Sequence, residues 1–184
     1  MRALVCLLIM LFLMPLAIAQ DSPSPAVAQR ILRIIERSGD DAQQMLDDLD
    51  RLANARGIRD SDRGFIRREQ AALLIREERN AEATELLTAA LENRPPDYMP
   101  SLRLFLGQLL LMDNQPEPAI EQLRHWSSNV VNPRPSELSI LGYAYLQLEQ
   151  FSAAIDLFER VIASAEIIND QWYEVLAYAY VQDG

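Results

Sequence analysis

Cysteine is almost missing from this chain of 184 residues: the only one is Cys6. Lysine is missing altogether, so all 17 basic residues are arginines. There is one histidine, His125, and only six glycines. Each scarcity removes a class of chemistry. A lone cysteine makes no disulfide within the chain and no thiolate metal site. A lone histidine has no second His or Cys with which to share a metal ion, and its place beside Trp126 suits a surface or packing role. No serine is set with it in a way that suggests a hydrolase triad. The glycines form no phosphate-cradling loop. The acidic runs Asp40-Asp41 and Asp47-Asp48-Leu49-Asp50 lack the alternation of ligands about a glycine that a calcium loop needs. They fall along an amphipathic helix and are expected to be its solvated face. Strand-like alternation of useful length is absent.

The start of the chain has the pattern of a secretory signal peptide. Met-Arg is followed by an apolar run from Ala3 to Leu13, then Met14-Pro15-Leu16, then the small-x-small site Ala17-Ile18-Ala19. Residues 1–19 are therefore expected to be removed. The apolar stretch is shorter than the roughly 20 residues that span a bilayer, and Pro15 interrupts it, so no stable membrane anchor is expected after cleavage. Cys6 lies inside the apolar run, badly placed for lipid modification, and leaves with the signal. Residues 20–25, Gln-Asp-Ser-Pro-Ser-Pro, form a polar leader expected to be flexible.

Charge bounds the partners. The whole chain carries 17 arginines and 27 acidic residues. Without Arg2 the expected mature chain has a net charge of −11, since 16 arginines then face the same 27 acids. Such a chain repels phosphate backbones, which argues against nucleic acid as partner. It also argues against docking on an anionic membrane face. With 49% of residues apolar, a packed core is expected rather than disorder.

From residue 26 the pattern is helical. Ile31, Ile34 and Ile35 recur at helical spacing, as do Leu46, Leu49, Leu52 and Ala53, with Gly39 and Gly57 as stops. Residues 26–61 are expected to form an antiparallel helical pair. Beyond it the chain repeats itself. Pro100-Ser101 leads to Leu106-Gly107, and 35 residues later Pro135-Ser136 leads to Leu141-Gly142. The same offset takes Ala119-Ile120 to Ala154-Ile155 and Leu123 to Phe158. A further step takes Tyr143, Ala144 and Tyr145 to Tyr178, Ala179 and Tyr180. Stepping back, Ala72 is expected to match Gly107, and Ala83 to match Ala119 across an inner turn one residue shorter. The expected units are 62–97, 98–132, 133–168 and an incomplete 169–184.

This pattern resembles the tetratricopeptide repeat family, whose motif puts a Leu-Gly pair and an aromatic in its first helix and small residues in its second. Leu138, Leu141, Gly142, Tyr145, Phe151, Ala154 and Phe158 match best. Pro116 departs from the pattern where Phe151 stands in the next unit, and Trp126 and Val161 stand where Ala is expected. The resemblance implies an all-α, right-handed superhelical solenoid of antiparallel helix pairs, with Gly142, Gly107, Ala72 and Ala177 at the closest helix crossings. A finer resemblance rests on Leu123-Arg124-His125-Trp126, Asn132-Pro133-Arg134-Pro135, Ala144-Tyr145-Leu146-Gln147-Leu148 and Gln171-Trp172-Tyr173-Glu174-Val175-Leu176. These runs are similar to exported repeat proteins that accompany the TonB energy-transducing complex of Gram-negative bacteria. That implies a periplasmic location and TonB-complex partners.

The functional expectation is a protein-binding scaffold with no cofactor, no metal and no catalytic residue. First helices of such an array line a concave groove. A spacing of i, i+4, i+7 marks one helix face, which selects Leu104, Gln108 and Leu111, then Ser139, Tyr143 and Leu146, then Glu174 and Tyr178, followed by Val181. Tyrosines bring large area, few rotors and a hydroxyl to a contact surface. The chain stops inside its fourth unit, leaving Tyr173, Leu176 and Tyr180 open. A fragment, self-association through that end, or completion by a partner helix would each account for this. An envelope assembly or secretion factor holding outer-membrane clients is the alternative function. A glycan-acting enzyme is more remote, since it would need two carboxylates about 5–10 Å apart in a pocket.

Overall fold

The computed structural model describes residues 22–94, 98–167 and 169–184. The signal-like segment 1–19, Cys6 and the first two leader residues lie outside the described residues. Among the described residues there are nine helices and no strand. They are α1 (Pro25–Ser38), α2 (Ala42–Ala53), α3 (Asp60–Arg76), α4 (Asn80–Leu91), α5 (Pro100–Met112), α6 (Pro116–Asn129), α7 (Pro135–Gln147), α8 (Phe151–Ser164) and α9 (Asp170–Asp183). Four of them begin on proline, whose fixed φ and missing N–H suit the first helical position.

Each helix packs on the next, and α3 also touches α5, as α5 touches α7. The first helices of successive pairs thus form one layer, with α4, α6 and α8 outside it. This is the all-α solenoid of stacked helix pairs.

The close helix crossings fall where small residues permit them. A Cβ built on Gly107 would lie 2.6 Å from Leu123, and one on Gly142 would lie 2.6 Å from the Phe158 ring. Ala83, Ala119 and Ala154 on the opposing helices are fully buried. Trp126 and Val161, in place of alanine, are also buried. Ala177 is exposed.

One turn recurs at the ends of α3, α5 and α7. A residue of positive φ follows each helix: Glu78 (60°), Asn114 (55°) and Glu149 (57°). Their N–H groups donate to the carbonyls of Ile75, Leu111 and Leu146 at 2.9, 3.1 and 3.0 Å. The next N–H groups, of Arg79, Gln115 and Gln150, donate to Leu74, Leu110 and Tyr145 at 2.8, 2.8 and 2.9 Å. These are the two bonds of a Schellman motif, which satisfies the last carbonyls of a helix. The turn corrects the repeat alignment. It has one length in all three units, and the first and second units are offset by 36 residues throughout. Ala71, fully buried, therefore corresponds to Gly107, while Ala72 is only half-buried. The extra residue falls between the end of α4 at Leu91 and the start of α5 at Pro100, a separation longer than that from Asn129 to Pro135.

The first pair is bolted to this array. Val27, Ile31 and Ile34 of α1 and Met45, Leu46, Leu49, Leu52 and Ala53 of α2 join the same core. Asp62, 2% exposed, accepts hydrogen bonds from the Ser24 N–H (2.6 Å), the Ser24 hydroxyl (3.0 Å) and Arg59 Nε (2.8 Å). Ser24 in turn caps α1 by accepting from the Val27 N–H. The Gln70 amide donates to the Leu46 carbonyl, and Arg63 to that of Ala53. The expected acidic face of α2 is not wholly solvated. Asp41 caps the helix, and Asp48 is buried between Arg37 and Arg51.

Candidate partner-binding site

A cleft of about 550 Å³ opens between α5 and α7 and reaches the end of α3. Its walls are Phe105, Gln108, Leu109, Leu111 and Met112 of α5, Ile140, Tyr143 and Gln147 of α7, and Ile75 of α3. The two main walls are copies of each other at the repeat spacing. Phe105, Gln108 and Met112 lie at i, i+3 and i+7, and 35 residues later Ile140, Tyr143 and Gln147 do the same. Each set is one stripe of a helix. On α9 the same positions hold Val175, Tyr178 and Gln182.

The sequence-expected groove residues divide on this geometry. Gln108, Leu111 and Tyr143 line the cleft. Leu104 and Leu146 are half-buried and pack against the core beside it. Ser139 is buried, and its hydroxyl donates to the Ser136 carbonyl at 2.9 Å, so it offers no surface. Glu174 is exposed on α9, off the repeated stripe. Tyr178 is on the stripe, 54% exposed, with its ring edge-on to Phe151 at 6.3 Å. Phe105, Met112, Ile140 and Gln147 were missed. The 35-residue offset pairs 105 with 140 and 112 with 147, but it equally pairs 104 with 139, so the sequence does not single out this stripe.

Tyr143 serves two roles. Its ring stands edge-on to the buried Phe158, centroids 5.3 Å apart, while part of it faces the cleft. Burial pushes its hydroxyl pKa up, so it stays a neutral donor and acceptor. Met112 is 69% exposed, a large apolar side chain that adapts its shape to what it meets. The side-chain amides of Gln108 and Gln147 make no hydrogen bond among the described residues, which leaves them free to take a donor and an acceptor.

No charged side chain lines this cleft. That is unusual for a chain of net charge −10, and it sets what the site can hold. An uncharged, mainly apolar segment loses little on entry, and two amides and a phenol can satisfy its backbone. A charged group would lose part of its hydration there and find no counter-ion among the lining residues. Among the described residues no three His, Cys, Asp or Glu side chains are grouped to hold a metal ion. Nor is any described helix long and apolar enough to cross a membrane.

No family model and no curated protein matches this chain. Solved structures do. The chain is similar to MamA of AMB-1 at 19% identity and TM-score 0.66, covering 86% of this chain and 82% of that one. It is similar to MamA of MSR-1 at 18% identity and TM-score 0.63, covering 85% and 84%. A crystal structure of nearly identical TPR-like repeats from Podosopora anserina matches at 22% identity and TM-score 0.59, covering 90% of both chains. These likenesses establish a TPR-like solenoid.

Proposed function

We propose that this protein is an exported scaffold that holds a partner protein by an uncharged apolar segment seated between α5 and α7. The observation that carries the proposal is the repeated stripe. Phe105, Gln108 and Met112 face Ile140, Tyr143 and Gln147 across a cleft without a single charge. Helical or extended peptide segments suit such grooves, apolar anchors giving affinity and a few polar groups fixing register. At 550 Å³ the cleft lies within the roughly 300–1,000 Å³ of small-ligand sites, so it accommodates a few anchor side chains rather than a whole domain face.

Export is supported by the signal-like segment 1–19. A TonB-complex component as the partner is supported by the resemblance of the 123–126, 132–135, 144–148 and 171–176 runs. The test is a photo-crosslinking amino acid placed at Met112 in the source cell, with one at Leu32 as control. Leu32 is 48% exposed on α1, away from the cleft. Crosslinks to one envelope protein from position 112 but not from 32, mapping to an uncharged segment, support the proposal. A TonB-complex component captured this way supports the finer reading, and an outer-membrane client supports an assembly role instead. Equal capture from both positions refutes the cleft.

A further inference from the structure

The charge of this chain is unevenly placed. Residues 22–79 hold eleven arginines and eleven acidic residues. Residues 80–184 hold five arginines and fifteen acidic residues, a net of −10. The whole excess of negative charge therefore lies in the later repeats, and the arginines crowd the first helices.

Four of those arginines meet in one place. A cleft of about 450 Å³ between α1 and α2 is lined by Arg30, Arg33, Ile34, Arg37, Asp48, Arg51 and Leu52. Arg30, Arg33 and Arg37 lie at i, i+3 and i+7 on α1, one helical stripe, and Arg51 faces them from α2. Four arginines thus line one cleft with a single carboxylate, that of the buried Asp48. Asp48 is shared, taking one hydrogen bond from Arg37 and one from Arg51 at 3.0 Å. This fixes the heads of two arginines beside each other and leaves most of their N–H groups unused. Neither Arg30 nor Arg33 pairs with a carboxylate among the described residues. Arg33 only turns its Nε back to the Gln29 carbonyl at 3.3 Å.

The contrast with the neighbouring cleft is informative. There, Arg63, Arg67 and Arg94 line a similar volume, and each is paired with Asp60 or Asp50. Charge is balanced in that cleft and left positive in the one between α1 and α2. The floor of the positive cleft is apolar, since Ile34 and Leu52 are buried core residues. A multiply charged oxyanion answers the first feature and a small organic group the second. Guanidinium forks match phosphate oxygens in pairs, and several of them neutralise more than one charge.

We propose that the α1–α2 cleft binds a phosphate ester, its phosphate held by Arg30, Arg33, Arg37 and Arg51 and its organic part resting on Ile34 and Leu52. The overall acidity of the chain does not oppose this, because the excess negative charge is in residues 80–184, and exposed charges are screened beyond about 8 Å at physiological salt. The ester is either free in solution or the headgroup of an anionic lipid.

Two arms separate these sources. The purified protein is titrated calorimetrically with glycerol 3-phosphate in physiological salt, and is sedimented with phosphatidylglycerol vesicles and with neutral vesicles. Binding is expected in at least one arm, and the double variant Arg30→Gln, Arg33→Gln should weaken it tenfold or more. Both residues are exposed and unpaired among the described residues, so the melting temperature of that variant should match the parent. Binding in solution assigns the site to a free ester; binding confined to phosphatidylglycerol vesicles assigns it to a lipid headgroup. Binding in neither arm, or binding undiminished in the double variant, overturns the proposal. Crosslinking from Met112 should be unaffected by these substitutions, so this site and the partner cleft stand or fall separately.

Discussion

Gly142→Ala puts the repeat packing under direct strain. The new Cβ would lie 2.6 Å from one Phe158 ring carbon and 3.0 and 3.1 Å from two others. Phe158 is fully buried, with the Tyr143 ring 5.3 Å away, so it has little room to retreat. With a contact this short against a confined ring, overpacking should cost about 2–3 kcal/mol, the upper part of its usual range. Alanine recovers about 1 kcal/mol of helix propensity over glycine. The net loss is about 1–2 kcal/mol, and at roughly 2–4 °C per kcal/mol for a chain of this size the midpoint should fall by about 2–8 °C. Thermal unfolding followed by circular dichroism measures it. Shortening the obstacle with Phe158→Leu should relieve the clash, so the double variant should be more stable than the sum of the singles predicts, by about 0.5 kcal/mol or more. Gly64→Ala should be milder, because its Cβ would meet the flexible Met99 side chain at 2.7 Å. A Gly142→Ala protein that melts at or above the parent would refute the close crossing of α7 and α8.

Three further outcomes follow from the same structure. Glu149 adopts a left-handed backbone at φ 57°, where a Cβ is strained, so Glu149→Gly should add about 0.5–1 kcal/mol in urea unfolding. Asp62 is held below the usual carboxylate range, first by the Arg59 hydrogen bond and then by Ser24, against an opposing effect of burial. Its depressed folded pKa means that its contribution is present above the unfolded value near 3.8 and is lost as the pH falls through the folded one. Asp62→Asn should therefore cost about 1–3 kcal/mol near neutral pH and flatten the acid limb of a stability–pH curve below about pH 4. Tyr143→Ala should cost about 1–3 kcal/mol through its lost contact with Phe158, whereas Met112→Ala should stay within about 0.5 kcal/mol, both read as denaturation midpoints.

The repeat was legible in the sequence because packing fixes it at single positions. Only a residue as small as Gly107 or Gly142 fits against Leu123 or Phe158, and the constraint recurs in both of those units at the same offset. The phase of the first unit was not, because the longer separation between Leu91 and Pro100 hides it and Ala71 and Ala72 are alike in composition. The structure locates it through hydrogen bonds at Glu78 and Arg79, which sequence does not display. The groove was half legible. Gln108, Leu111 and Tyr143 were found, yet one residue along a helix is a rotation of about 100°, enough to exchange Ser139 for Ile140. Only the neighbouring helix decides which of those two faces inward. Asp48 shows the same limit from another side: its burial depends on Arg37, eleven residues away, and on the angle at which α1 meets α2.

The central claim is that the cleft between α5 and α7 takes an uncharged apolar segment. Selection from a displayed library of random peptides tests it most directly, with binding of the enriched peptides then compared between the parent and the paired variant Met112→Asp, Ile140→Asp. The account predicts enriched peptides rich in apolar side chains and poor in charged ones, bound at least tenfold more weakly by the paired variant while its fold is retained. Enrichment of acidic or basic peptides, or binding that the two substitutions leave unchanged, would contradict it.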